Sequence, residues 1–452
     1  MFAFFRPPPD APPLQGPNEA VKAVYRRYRG RQLGITFVAY AVYYFVRKNL
    51  SAVMPAMEKD LGISKSQLGG FLTAHDILYG TSKFANGYLG DRSNARTFLA
   101  FGLLMSGLLN LLFGFSSTVM IMGLLWCLNG WFQGIGFPPC ARVLSHWFAP
   151  SERGTMWSIW NASHMVGAAG IAVWAGWLAQ HWGWRWGFFA PALLALVVSL
   201  GVLLTLKDTP AELGLPPVEQ QFGEHANTAS VAPAETPKQD EAEFRAFLRQ
   251  RVFGNPYIWA ICIANFFVYV VRISFLNWAP TYLHEVKGYS LVAAGGMTAS
   301  YEFAGLLGSV IAGILTDKFF KGRRAPMCVW YMLGTAGAVY AFQSAPGGSA
   351  SYETFTLGAV GFLIYGPQFL VGVMTADIVS KRAAATAIGL TGFFGYLSGV
   401  LSGWGLGWIV ELHGWNSGFQ LLIGSSLAAA FFFALCWRAG PPKEEHGERA
   451  TP

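Results

Sequence analysis

Apolar runs of about twenty residues recur along the chain, separated by short stretches that carry most of the charge, and that length suits a helix crossing a hydrocarbon core of ~30 Å. Spans are read near residues 33–56, 67–89, 97–116, 118–141, 154–179 and 186–206, then 256–282, 290–316, 326–344, 353–376, 384–409 and 417–437. The pattern predicts an all-α membrane protein with twelve transmembrane helices. Residues 207–255 are polar, contain Pro and Glu, and cannot bury enough apolar surface to fold alone, so they are expected to link two halves. The expected organisation is a cytoplasmic tail (1–32), a six-helix bundle (33–206), a cytoplasmic linker (207–255), a second six-helix bundle (256–437) and a second cytoplasmic tail (438–452).

The halves repeat each other. Tyr44-Phe-Val-Arg47 matches Tyr269-Val-Val-Arg272 at an offset of 225, and Gly87-Tyr-Leu-Gly-Asp91-Arg92 matches Gly313-Ile-Leu-Thr-Asp317-Lys318 at 226. Gly183-Trp184 with Gly187-Phe188 matches Gly414-Trp415 with Gly418-Phe419 at 231. Three matches in order predict two pseudo-symmetric bundles, an architecture that can rock about a site between them.

Composition narrows the class further. Only 12% of the residues are charged, against roughly 25% in soluble domains, while 53% are hydrophobic and the mean hydropathy is +0.37. The first nineteen residues are broken by prolines and read as a tail, not a signal peptide. The five cysteines fall in or beside apolar runs, so neither a disulfide framework nor a metal site is expected, and no cofactor. The basic balance could suggest nucleic acid, but the cations are distributed over many short loops. With a cytoplasmic N-terminus, 24 of the 32 Lys and Arg fall on the inner face and four on the outer, namely Lys59, Lys65, Arg185 and Lys287. Both termini are therefore expected in the cytoplasm, with membrane lipid around the spans and no nucleic-acid partner.

Ionisable residues inside spans cost about 2.5–3.5 kcal/mol or more and are the first candidates for function. Arg47 and Arg272 lie at similar depth, ~21–24 Å along outward-running helices at 1.5 Å per residue. Two guanidiniums facing one central cavity suit a doubly charged oxyanion, because the planar fork binds phosphate bidentately and keeps its charge in a dry site. Lys83 either faces that cavity or snorkels inward. His164 lies mid-span, as a cavity group that follows the charge of a phosphate or as a hydrogen-bonded structural residue. Tyr40, Tyr43, Tyr44, Tyr79, Tyr269, Tyr365 and Tyr396 offer hydroxyls, some of which must simply pack.

The loop Gly87–Arg96 and its echo before Arg324 resemble the loop between the second and third helices of major facilitator superfamily transporters. Tyr43-Tyr44-Phe-Val-Arg47-Lys48-Asn49, Tyr79-Gly-Thr-Ser-Lys83-Phe, Gly130-Trp-Phe-Gln-Gly134, Pro138-Pro-Cys, Trp160-Asn161 and Phe362-Leu-Ile-Tyr365-Gly-Pro367 together resemble the organophosphate:inorganic phosphate antiporters of that superfamily. The resemblance implies exchange of an organic phosphate (glycerol-3-phosphate, a sugar phosphate or phosphoglycerate) for inorganic phosphate in a bacterial inner membrane by a monomer. Arg47 and Arg272 are then the phosphate-binding arginines and His164 the central histidine, with Lys83, Lys48 and Asn161 beside them. The chain departs from the family pattern in three places. Met165-Val166-Gly167-Ala168 follows the central His in place of Asn and a Gly pair. Asn277 stands where an Asp able to pair with Lys48 is usual, which leaves Lys48 to pair with Glu302 or with nothing. Ile388 and Thr391 replace the charged pair of the hexose-phosphate transporter, which leans towards the glycerol-phosphate pattern. His75-Asp76 is unusual for the family and receives no role. The alternatives are a transporter-like membrane sensor that binds sugar phosphate and signals to a kinase and, behind it, a membrane enzyme using His75, Asp76 and His164, which no recognised catalytic motif supports.

Overall fold

The computed structural model describes residues 5, 9–14, 18–91, 93–221, 248–320, 323–345, 348–379 and 384–439, and every regular element among them is helical. Arg6, Arg92, Lys321, Lys381, Arg382, most of the expected linker and the end of the C-terminal tail lie outside these residues. The helices are α1 (Asn18–Leu61), α2 (Lys65–Asp91), α3 (Ala95–Phe115), α4 (Val119–Gln133), α5 (Phe137–Trp147), α6 (Pro150–Trp182) and α7 (Trp186–Thr205). After a 3₁₀ turn at Pro210–Leu213 come the one-turn α8 (Val218–Gln221), α9 (Pro256–Glu285), α10 (Leu291–Phe320), α11 (Arg324–Gln343), α12 (Ala350–Ile378), α13 (Ala384–Leu397) and α14 (Leu406–Leu435).

Local chemistry sets many of these boundaries. Asn94 caps α3 by accepting from the backbone of Arg96 and Thr97, and Asn255 caps α9 through Tyr257. Gly134–Gly136 and the prolines at 138 and 139 divide one membrane-length segment into α4 and α5. A wider π-type turn, Val400–Gly405, joins α13 to α14, and α14 itself breaks at Gly414, whose φ of 79° disfavours other L-residues.

Nine helical segments among the described residues are long and apolar enough to cross a membrane. α1 and α2 are not among them, since α1 carries Arg47 and Lys48, and α2 carries His75, Asp76 and Lys83. The last segment, Thr386–Leu435, contains the break at Gly414. The count of twelve rests on including α1 and α2 and on dividing that segment. Exposure is inverted as a lipid-facing protein requires: Leu104, Leu108, Leu112 and Phe115 form an exposed apolar stripe on α3, as do Leu193, Val197, Leu200 and Leu204 on α7.

Two parts of the chain are more ordered than the sequence reading expects. α1 begins at Asn18, fifteen residues before the expected span, because Tyr25 is fully buried and donates to the Pro216 carbonyl while Arg29 pairs with Glu152. The first part of the expected linker, through Gln221, packs on the preceding helices: Arg142 bonds Asp208 at 2.9 Å, Trp147 donates to the Lys207 carbonyl, and Leu215 and Val218 join an apolar cluster with Tyr25 and Trp147. This segment borrows apolar surface that it cannot supply itself.

α9–α14 share one large apolar cluster, while residues of α1, α3, α5, α6 and α7 form another. A third cluster joins the two groups through Leu50, Val53 and Trp126 on one side and Trp278, Leu406 and Val410 on the other. Polar contacts reinforce that junction at the end of the molecule bearing the α1–α2 turn. Lys65 bridges Glu58 (2.6 Å) and Glu285 (3.1 Å), Glu411 accepts from the backbone and hydroxyl of Ser66 at the start of α2, and Thr73 donates to the Gly399 carbonyl at 2.8 Å. Two backbone seams lie alongside. Gly69 on α2 meets Gly403, and Gly295 on α10 meets the Ala172 carbonyl on α6 so closely that no Cβ fits there.

Candidate functional site

Helical spacing directs the polar residues of several spans to a common centre. On α1, Tyr40, Tyr44, Arg47 and Lys48 share one face at i, i+4, i+7 and i+8, and on α2, Asp76, Tyr79 and Lys83 do so at i, i+3 and i+7. Asn161 and His164 follow the same rule on α6, as do Tyr269 and Arg272 on α9. All of these residues, with Gln368 on α12, Tyr396 on α13 and the apolar Phe137, Ile273 and Leu276, line a cavity of about 160 Å³ between the two groups of helices.

The two arginines reach this cavity from opposite sides and are held differently. Arg47, 9% exposed, lies over the Tyr79 ring with its guanidinium carbon 3.8 Å from the centroid, and 5.4 Å from that of Tyr44. Arg272, 8% exposed, donates through Nη2 to the Tyr365 hydroxyl at 3.1 Å, which in turn donates to Glu302 Oε2 at 2.7 Å. Tyr365 thus stands behind Arg272 and does not line the cavity, so its place differs from that of the other site tyrosines. The Nε groups of both arginines have no hydrogen-bond partner among the described residues. Neither guanidinium forms an ion pair with a carboxylate there, which leaves donors available to an anion.

Lys83 takes the cavity position, its ammonium 4.6 Å from the Phe137 ring centroid and 5.6 Å from that of Tyr396. His164 is buried and hydrogen-bonds the Asn161 carbonyl through Nδ1, so that nitrogen carries a proton and Nε2 remains as the ring's other polar atom. Its ring lies 5.5 Å from that of Tyr44. Lys48 corrects the sequence expectation: its ammonium donates to Asn277 Oδ1 at 2.9 Å, while Glu302 is engaged by Tyr365. An amide oxygen accepts from an ammonium, so losing a carboxylate at 277 does not leave Lys48 unpartnered. Tyr43 packs outside the site, donating to the Leu99 carbonyl.

Asp76 and Gln368 line the cavity but were not assigned to it from the sequence. The signal for Asp76 was its spacing of three and seven residues from Tyr79 and Lys83, and that for Gln368 its place one turn beyond Tyr365.

Residues 36–403 match the Major Facilitator Superfamily. The chain belongs to that superfamily. As a major facilitator protein it is a membrane transporter and not an enzyme. It is 40% identical to a "Glycerol-3-phosphate transporter" of Bacillus subtilis over 98% of this chain and 100% of that one. Similarity also extends to a "Probable hexose phosphate transport protein" of Chlamydia pneumoniae, 38% identical over 96% of this chain and 97% of the other. A "Membrane sensor protein UhpC" of Escherichia coli is 37% identical over 98% and 100% respectively. Among solved structures, a bacterial homologue of the human lysosomal transporter Spinster, in an inward-facing and occupied conformation, superposes with a TM-score of 0.73 at 17% identity, covering 91% of this chain and 97% of that chain, which shows the major facilitator fold.

Proposed function

We propose that this transporter exchanges an organic phosphate for inorganic phosphate across the inner membrane by alternating access. The observation that carries the reading is the placement of Arg47 and Arg272, from two groups of helices, on one buried cavity with unpartnered donors. A phosphoryl group offers oxygens to both forks at once and offsets the repulsion between them. Lys83 supplies a further cation, and His164, Asn161 and the tyrosines supply hydrogen bonds to the remaining polar atoms. The names of the relatives, which include glycerol-3-phosphate and hexose phosphate transporters, support this substrate class.

With both termini in the cytoplasm, the contacts around Lys65, Ser66 and Thr73 join the two groups of helices at the outer end. Phosphate between the arginines draws the two groups of helices together and stabilises the closed intermediate more than either open form. The empty carrier, with its cations facing each other, is expected to convert slowly. The test is uptake of labelled organic phosphate into proteoliposomes. Rapid uptake with phosphate inside and little without it supports exchange; sodium- or proton-driven accumulation without internal phosphate overturns it.

A second reading, a membrane sensor, is favoured by the similarity to the sensor protein of Escherichia coli. A sensor binds phosphate esters in the same assay but exchanges little, and it requires a kinase partner.

A further inference from the structure

Among the described residues lining the cavity, Asp76 is the acid, facing a site with four cationic side chains, Arg47, Lys48, Lys83 and Arg272. Lys48 directs its ammonium to Asn277, and no ion pair between Asp76 and the cavity cations is present among the described residues. Its partner is instead His75, whose Nδ1 lies 3.1 Å from Asp76 Oδ1. The His75 ring is buried, stacks parallel to Tyr79 at 6.3 Å and lies 5.5 Å from the Trp126 ring, while its Nε2 has no hydrogen-bond partner. A proton on Nδ1 satisfies the carboxylate and leaves a bare nitrogen against the aromatic wall, which costs less than burying an unpaired N–H.

Asp76 is held from the other side as well. A Cβ placed on Gly399 comes within 2.9 Å of Asp76 Cβ, so only glycine lets this part of the chain lie against the acid. The carboxylate is fixed with Oδ1 tied to His75, and Oδ2 has no hydrogen-bond partner among the described residues. It is a positioned acceptor at the edge of a cationic site. Along α2 it lies roughly 10 Å from Lys83, at 1.5 Å per residue, with Tyr79 beneath Arg47 between them.

We infer that Asp76 selects among organic phosphates, favouring esters whose carbon portion carries only hydroxyls and rejecting those that also carry a carboxylate. This rests on the phosphate-transport reading. When the phosphoryl group meets Arg47 and Arg272, the ester's other end meets the remaining polar lining. A hydroxyl donates to Oδ2, whereas a carboxylate can only accept and is repelled. His75 is a positioning residue, holding the acid in one orientation without touching the ligand.

The experiment measures binding of inorganic phosphate, glycerol-3-phosphate and 3-phosphoglycerate to the purified full chain, as wild type, Asp76→Asn and Asp76→Ser. Wild type is expected to prefer glycerol-3-phosphate over 3-phosphoglycerate by at least about tenfold, and both variants to lose roughly tenfold of that ratio, the effect of one directed charge contact. No preference in wild type overturns the inference, as does a ratio retained in variants that bind inorganic phosphate. Variants that bind none of the three also overturn it, because Asp76 then supports the cationic site and does not read the ester. Failure of wild type to bind inorganic phosphate overturns the transport reading itself.

Discussion

The ammonium of Lys48 on α1 reaches the side-chain oxygen of Asn277 on α9 at 2.9 Å, a bond that spans 229 residues and joins the two groups of helices beside the cavity. Ser51 adds a second donor to the same oxygen at 3.3 Å. Any movement that parts α1 from α9 at this level must break the bond. Asn277→Asp replaces the amide with a carboxylate and strengthens the contact by about 1 kcal/mol, so phosphate exchange is expected to slow roughly fivefold. Initial exchange rates in proteoliposomes check this; an unchanged rate shows that the bond does not break during the cycle.

The arginines are predicted to be irreplaceable by lysine. Arg47→Lys and Arg272→Lys keep the charge but lose the planar fork and its stacking on Tyr79 or its bond to Tyr365, so phosphate affinity should fall tenfold or more while the protein stays folded. Direct binding, together with thermal unfolding, separates the two effects. Wild-type affinity in either variant removes that residue from the site.

Tyr365 acts from behind the cavity. Its hydroxyl accepts from Arg272 and donates to Glu302, so Tyr365→Phe strips a partner from two buried polar groups at once. The expected loss is about 1–3 kcal/mol of stability, accompanied by weaker phosphate binding as Arg272 loses its orientation. A variant as stable as wild type would show that water replaces the hydroxyl.

Orientation is open to direct test. Ala350, exposed at the start of α12, is expected outside the cell, and Gln220, exposed in the packed segment after α7, inside. Cysteines there should respectively react with and resist an impermeant thiol reagent applied to intact cells. The reverse pattern turns the molecule over and places the end that bears the α1–α2 turn in the cytoplasm.

How far the sequence could carry these conclusions depends on the range of each interaction. The helices were legible because their length and apolarity are local, and Arg47, Lys83, His164 and Arg272 stood out because charge inside such runs is costly. The two helices richest in site residues, α1 and α2, are also the least apolar, since the cavity stripe dilutes them. The partners were harder to read. Whether Lys48 finds Asn277 or Glu302 depends on how two helices rotate against each other, and the residue types allowed both. Tyr365 could not be told from the cavity tyrosines for the same reason: one turn of α12 separates a side chain behind Arg272 from Gln368 in the lining. The packing of residues 207–221 was hidden because their apolar partners belong to α1 and α5.

The meeting of Gly295 with Ala172, and of Gly69 with Gly403, has a mutational signature. Contacts built from side chains usually weaken by truncation, but here nothing remains to truncate, and every possible substitution adds bulk. Variation at these positions can therefore act in one direction, prising apart the end that bears the α1–α2 turn. Gly295→Val or Gly69→Val offers a route to a carrier trapped open on that side, in which the central cavity is approached through that end.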